Sequence, residues 1–413
     1  MLRHPSKRAA QLLFNPFDVA SRADPYAHYQ ALRNLDSVHR SPLGFWVLSR
    51  YEDVRIAQTD QRLQFLAPQI ATAMERIRRP PRPRAAGLLS AFEYWHYLTD
   101  PAAHKRFRAV VTQCLSPRRL EAMRPRVTSV IAALLEPHAG CSQFDVIRDF
   151  TSWLPVAVMT ELFGLSPAHR AQYRAWSATM GRVLEPTIDL STIHHLVATL
   201  TDCQEHLSVV VSQRRRQLGD DLISAMLQLD VDGHPVTDAD VVAYVTILLG
   251  AGYETTANLI ANSLLALVRN PDQLRLLQRN PDLIEPAVEE LARFDSPVQL
   301  HSRWAIEHIR FGDHTVDRGA RLVLLIGSAN RDPARFHHPD ELELARRDEG
   351  SLSFGRGARY CLGAPLARLQ VETALQLFLT RFANVGLPVE GPVWRTEYVA
   401  LRALSRLTLP IRS

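Results

Sequence analysis

Lysine is nearly missing from this 413-residue chain: it occurs only at Lys7 and Lys105, so almost all the positive charge is arginine. The net charge is only +5, and no basic run is interleaved with aromatics, which speaks against a nucleic-acid-binding surface. The longest basic run, Arg214-Arg215-Arg216, reads as a solvated helix face. Cysteine is scarce too. Cys114, Cys141, Cys203 and Cys361 show neither disulfide-framework nor zinc spacing, which excludes a disulfide-stapled scaffold and fits a reducing cytosol. The most apolar stretch, Val241 to Val268, is interrupted by Glu254, Asn258 and Asn262, so it reads as a buried core helix and not a membrane span. The N-terminal segment has basic residues but no apolar region behind them, so neither a signal peptide nor an anchor is expected, and a cytoplasmic protein is. Repeats, low-complexity tracts and an alternating βαβ pattern are absent as well.

Helical patterns dominate what is present. They run over 25–35, 101–137, 152–163, 167–183 and 193–218, then over 272–279 and 283–294. Thr237-Asp238-Ala239-Asp240 marks a helix start, and the apolar pattern continues to Asn270-Pro271. That helix would hold about 32 residues and span roughly 48 Å. Strand composition is confined to 44–50, 304–312, 321–326 and the tail from Val393 to Ile411, and 67–87 reads as a long arginine- and proline-rich loop. The expected fold is mainly α with a minor β region, in one domain over residues 1–413.

The chemistry concentrates at Ser353-Phe354-Gly355-Arg356-Gly357-Ala358-Arg359-Tyr360-Cys361-Leu362-Gly363-Ala364-Pro365. Glycines on both sides of the thiol let the backbone turn tightly and lie against something flat. A helix follows from Ala364, with proline tolerated in its first turn. The helix dipole, Arg356 and Arg359 all favour a thiolate at Cys361. One thiolate is a poor zinc site but a good axial ligand for haem iron.

Phe354, Gly357, Arg359, Cys361 and Gly363 together resemble the haem-binding signature of the cytochrome P450 family, Phe-x-x-Gly-x-[Arg/His]-x-Cys-x-Gly. The resemblance extends over nearly the full chain. It implies the P450 fold, a long central helix crossing a haem b whose iron is bound by Cys361, with Phe354, Gly355, Arg359 and Gly363 also against the cofactor.

Other segments fall in with it. Gly250-Ala251-Gly252-Tyr253-Glu254-Thr255-Thr256 puts two glycines and a charge inside an apolar helix. Each glycine there costs roughly 1 kcal/mol against alanine, and the buried charge costs more. The segment resembles the family's oxygen-activation motif, [Ala/Gly]-Gly-x-[Asp/Glu]-Thr. Ala251 and Gly252 would then lie against the haem, Thr255 would hold dioxygen and an ordered water, and Glu254 would relay protons. Glu290 and Arg293, at i and i+3, are similar to the family's Glu-x-x-Arg pair, which braces the cysteine loop. The third partner is usually an arginine in a Pro-[Glu/Asp]-Arg-Phe segment. Here Pro339-Asp340-Glu341-Leu342 has glutamate at that place, leaving Arg346 or Arg347 to substitute. His104 and Arg108 resemble the family's His-x-x-x-Arg, and with Arg303 and Arg359 they would bind the two haem propionates.

The implied activity is a monooxygenase that inserts one atom of O2 into an apolar or natural-product-like molecule. Electrons from NAD(P)H would arrive indirectly, through a ferredoxin and a ferredoxin reductase, to a monomer. A cationic face of Lys105, Arg106, Arg356 and Arg368 is expected to receive the ferredoxin. Substrate would meet 67–93, 182–195, Ile247 and its helix to Thr255, Val298, Leu300 and the region of Tyr398 and Val399. The alternatives are a peroxygenase or dehydratase of the same fold, which has no need of Glu254 and Thr255, and a non-catalytic haem sensor.

Overall fold

The computed structural model describes residues 23–65, 96–185, 190–347 and 350–412. The expected loop at 67–87 and the whole expected substrate segment 67–93 lie outside the described residues.

Seven helices position the site: α1 (Tyr51–Thr59), α2 (Pro101–Cys114), α3 (Leu154–Leu162), α4 (Arg170–Gly181), α5 (Asp238–Arg269), α6 (Ile284–Phe294) and α7 (Ala364–Arg381). Helix α5 is 32 residues long and starts where the sequence predicts. Thr237 caps it: its hydroxyl accepts from the Asp240 N–H at 3.1 Å, and Asp240 Oδ2 accepts from the Thr237 N–H at 3.0 Å. Helix α5 is buried nearly all round, packed by α3, α4, Leu190–Arg216 and α7, which accounts for its almost continuous apolar sequence. Among the described residues, no helix is long and apolar enough to cross a membrane.

The predicted helical run over 101–137 is two helices, α2 and Pro117–Leu135. Pro117 causes the break: Ser116, just before it, is pushed to an extended conformation (ψ 150°) and ends the run.

A five-stranded sheet closes one side. Its strands are β1 (Val38–Arg40), β2 (Trp46–Leu48), β3 (Leu63–Gln64), β4 (Leu300–Ala305) and β5 (Arg321–Leu325), in the order β1-β2-β5-β4-β3. Only β2 and β5 pair in parallel. Strand β4 starts four residues before the predicted strand at Trp304 and delivers two site residues. Side chains alternate along it, so His301 and Arg303 reach the central cavity while Leu300 packs with Val47, Val323 and Leu325 on the opposite face. Leu300 is therefore corrected from a substrate-pocket residue to a sheet-core residue. A one-residue step on a strand reverses its direction.

Candidate active site

The site is a cavity of ≈ 350 Å³ between α5 and the cysteine loop, within the usual size range of small-molecule sites. Two glycines shape the loop: Gly355 (φ 72°) and Gly357 (φ 68°) occupy the left-handed region that other residues avoid. The Cys361 N–H donates to Phe354 O at 2.8 Å, which folds the loop back on itself. Phe354, Gly355, Arg359, Cys361 and Gly363 all line the cavity, as the motif predicts.

The Cys361 thiol differs from expectation. Burial pushes its pKa up, against the lowering effect of the Gly363 N–H, Arg368, the Ala364 N–H and Arg108. What surface it exposes belongs to the cavity. Desolvation opposes the helix dipole here, and a cation bound at the sulfur would favour the thiolate.

The loop is braced from behind. Arg293 is bidentate to Glu290, with contacts of 2.7 and 2.8 Å, and both side chains are 2% exposed. Arg346 is the third partner left open between two candidates in the sequence, its Nε lying 3.1 Å from each Glu290 oxygen. Arg293 also donates to Asn330 O at 2.8 Å. The Asn330 side chain in turn holds the Leu352 N–H and the Ser353 hydroxyl, each at 2.8 Å. Ser353 Oγ donates to Ala292 O at 2.6 Å and closes the circuit to α6.

Six basic side chains line the wall: His104 and Arg108 from α2, His301 and Arg303 from β4, and Arg356 and Arg359 from the loop. Burial and the neighbouring Arg359 and Arg108 push His104 down to about 4. Burial and Arg303 take His301 down to about 3, and burial and Arg359 take Arg303 down to about 10. Burial lowers Arg359 and Arg108 as well, Arg108 adding to the effect on Arg359. No Asp or Glu is among the described residues lining the cavity. Beside them, Gln58 of α1 is 6% exposed and lines the same space with both amide atoms unpartnered. His301 and Gln58 were missed by sequence reasoning, since a single histidine or glutamine carries no spacing signal.

This donor set fits haem. Unbalanced cations lining a cavity, with a spare amide beside them, suit a flat apolar group that carries carboxylates, and one cysteine faces the same cavity. The residues that would hold it are Cys361 at the iron, and Arg108, Arg303, Arg359, His104, His301 and Gln58 at the carboxylates.

Helix α5 supplies the facing wall. Ile247, Ala251, Gly252 and Thr255 line the cavity, and so does Val298 before β4. Thr255 Oγ1 donates one turn back to Ala251 O at 2.9 Å. The two glycines also serve packing. A Cβ on Gly250 would lie 2.9 Å from Met180 Cβ, and one on Gly252 3.1 Å from Met159 Sδ. Both therefore let α4 and α3 approach α5, and Gly250 does not line the cavity. Glu254 does not line it either. It is 4% exposed on the far side of the helix, within 3.1 Å of the Tyr398 hydroxyl. Tyr398, expected near substrate, is engaged there. Neighbouring helix residues point about 100° apart, so Glu254 and Thr255 face different surroundings.

The residues of the expected cationic docking face are partly engaged within the chain. Arg106 donates to Val231 O, His234 O and Pro235 O, Arg368 is paired with Glu289 and bonded to Tyr360 Oη, and Arg356 lines the cavity. Lys105 alone of the four stands exposed.

Comparison with known proteins agrees with this geometry. The family model described as Cytochrome P450 matches residues 186–396. Cytochrome P450 107B1 of Saccharopolyspora erythraea is 34% identical over 411 residues, covering 96% of each chain. Vitamin D(3) 25-hydroxylase of Pseudonocardia autotrophica is 34% identical over 391 residues, covering 93% of each. Among solved structures, the crystal structure of CalO2 superposes with a TM-score of 0.86 at 30% identity, covering 97% of this chain and 99% of that one.

Proposed function

This chain belongs to the cytochrome P450 family and is a haem-thiolate monooxygenase; on that premise we propose which residues do the work, on what substrate and with which partner. The observation that carries the assignment is Cys361 in the same cavity as six basic side chains and no described acid.

When bound, haem supplies the redox-active iron at which O2 is activated for insertion of one oxygen atom. Cys361 would hold the iron through Sγ. Arg108, Arg303 and Arg359 would neutralise the carboxylates, with a hydrogen bond from His104, which offsets the desolvation that lowers all four. Ile247 and Val298 exclude water from the substrate side. Thr255 Oγ1 stands in the cavity wall, where its hydroxyl can accept and donate a proton. Glu254 holds the proton supply behind the helix, and burial keeps its carboxyl above the usual range despite Arg395 and Tyr398. The Glu290-Arg293-Arg346 network is structural.

The substrate is an apolar, natural-product-like molecule, supported by the hydrophobic wall and by a relative named for hydroxylating vitamin D(3). The electron donor is a ferredoxin served by a reductase. Cys114 and Cys203 are each buried and free, so among the described residues no cysteine set could carry electrons within the chain. The protein works as a single-domain monomer in the cytoplasm.

Reconstitution with ferredoxin, reductase and NADPH tests this reading. Thr255→Ala should keep its haem content and substrate-induced spin shift while product per NADPH falls about tenfold or more and hydrogen peroxide rises. Full yield in the variant would reduce Thr255 to a helix-bonding residue.

A further inference from the structure

Behind α5, the carboxyl of Glu254 meets residues 395–400, the segment between the short strands Val393–Trp394 and Leu404–Arg406. Tyr398 Oη donates to Glu254 Oε1 at 3.1 Å, and Arg395 Nη1 lies 3.4 Å from the same oxygen. Both carboxyl and phenol are buried, whereas the Arg395 side chain is 28% exposed and reaches the surface. The carboxyl has little freedom to leave. A Cβ on Gly181 would stand 3.1 Å from Glu254 Cγ, and the Arg182 guanidinium sits 5.3 Å over the Tyr398 ring.

The segment itself is tied down on two sides. Glu185, just past α4, accepts the Val399 N–H at 2.7 Å and the Ala400 N–H at 3.3 Å. Gln299 N–H donates to Ala400 O and Arg402 N–H to Pro297 O, each at 2.8 Å, and Val298 bridges Leu401. Pro297 and Val298 are cavity wall. One short segment thus touches the end of α4, the cavity wall and the buried acid.

We propose that residues 395–400 form a positioning strap in which the Tyr398 hydroxyl and the Arg395 guanidinium hold the Glu254 carboxyl behind α5 and set the pH at which it is charged. This rests on Glu254 as the proton relay. Desolvation favours the neutral acid, and a donor or a cation at the carboxylate favours the charged one. Arg395, Tyr398 and Asn258 act in the charging direction, while Glu397 on the strap opposes them. Tyr253 shares its helix with Glu254, and from α4 come Arg174 beside Tyr253 and Arg182 beside Tyr398. Removing the Tyr398 hydroxyl or the Arg395 charge therefore moves the Glu254 midpoint further up.

The protonated-carboxyl infrared band that disappears in Glu254→Gln, titrated in the haem-loaded protein, reads the midpoint directly. Tyr398→Phe should shift it up, Arg395→Gln should shift it further, and Arg395→Lys should bring it back toward the wild type. Haem content and substrate spin shift should stay unchanged while product per NADPH falls several-fold in Tyr398→Phe. Should Tyr398→Phe fail to fold, surface-reaching Arg395 carries the test. An unshifted midpoint in the folded variants overturns the strap, whatever Glu254→Gln does to product yield. A shifted midpoint with full yield in Glu254→Gln keeps the strap and removes the relay.

Discussion

Two clusters of arginine flank the cysteine loop and are built on opposite terms. Behind the loop, Glu290 meets Arg293 and Arg346 at hydrogen-bonding distance, and the remaining donors find Asn330 O and Pro339 O. In the cavity, Arg108, Arg303 and Arg359 gather with His104 and His301 beside no described acid, and burial depresses every one of them. The first cluster is complete within the chain and serves structure. The second is completed only by an anion from outside, so it serves binding. The balance of charge is what separates the two.

The largest expected effect comes from opening the complete cluster. Glu290→Gln leaves two guanidinium groups in the interior without their carboxylate, which should cost about 3–5 kcal/mol, read as a lowered thermal midpoint and lost haem. A variant as stable as the parent would show the network to be incidental.

Removing a cation from the incomplete cluster should act with the opposite sign in the haem-free protein. Arg303→Met relieves repulsion, so the apoprotein should be no less stable than the parent, while haem loss to an excess of an acceptor globin should be about tenfold faster, the cost of one charge-assisted hydrogen bond. A destabilised apoprotein that loses haem at the parental rate would erase the contrast.

Acid sharpens the comparison more gently. His104 and His301 are held near 4 and 3, below the ordinary 6.5. Between those values the unfolded chain binds more protons, so their contribution to apoprotein stability is present above pH 6.5 and lost as pH falls toward 4. His301→Gln should flatten that part of the stability profile; an unaltered slope would mean that His301 is solvated.

The sequence was most legible where chemistry demands fixed spacing. The cysteine loop, the start and end of α5, and the Glu290–Arg293 pair all stand where the sequence predicts. Long-range packing was not legible. Nothing near Glu290 in sequence chooses Arg346 over Arg347, nothing near Gly250 announces Met180, and Leu300 against His301 is settled only by the register of β4 on β5. One-dimensional charge likewise does not reveal that Arg106 lies near Asp240 and Arg368 against Glu289.

The account depends most on Cys361 as the iron ligand, and the spectrum of the reduced, carbon-monoxide-bound protein tests it directly. The wild type should show the red-shifted Soret band of a thiolate-ligated haem. Cys361→Ser should lose it, and substitutions of Cys114, Cys141 or Cys203 should leave it in place. A protein that takes up no haem, or a red-shifted band that survives Cys361→Ser, would contradict the assignment.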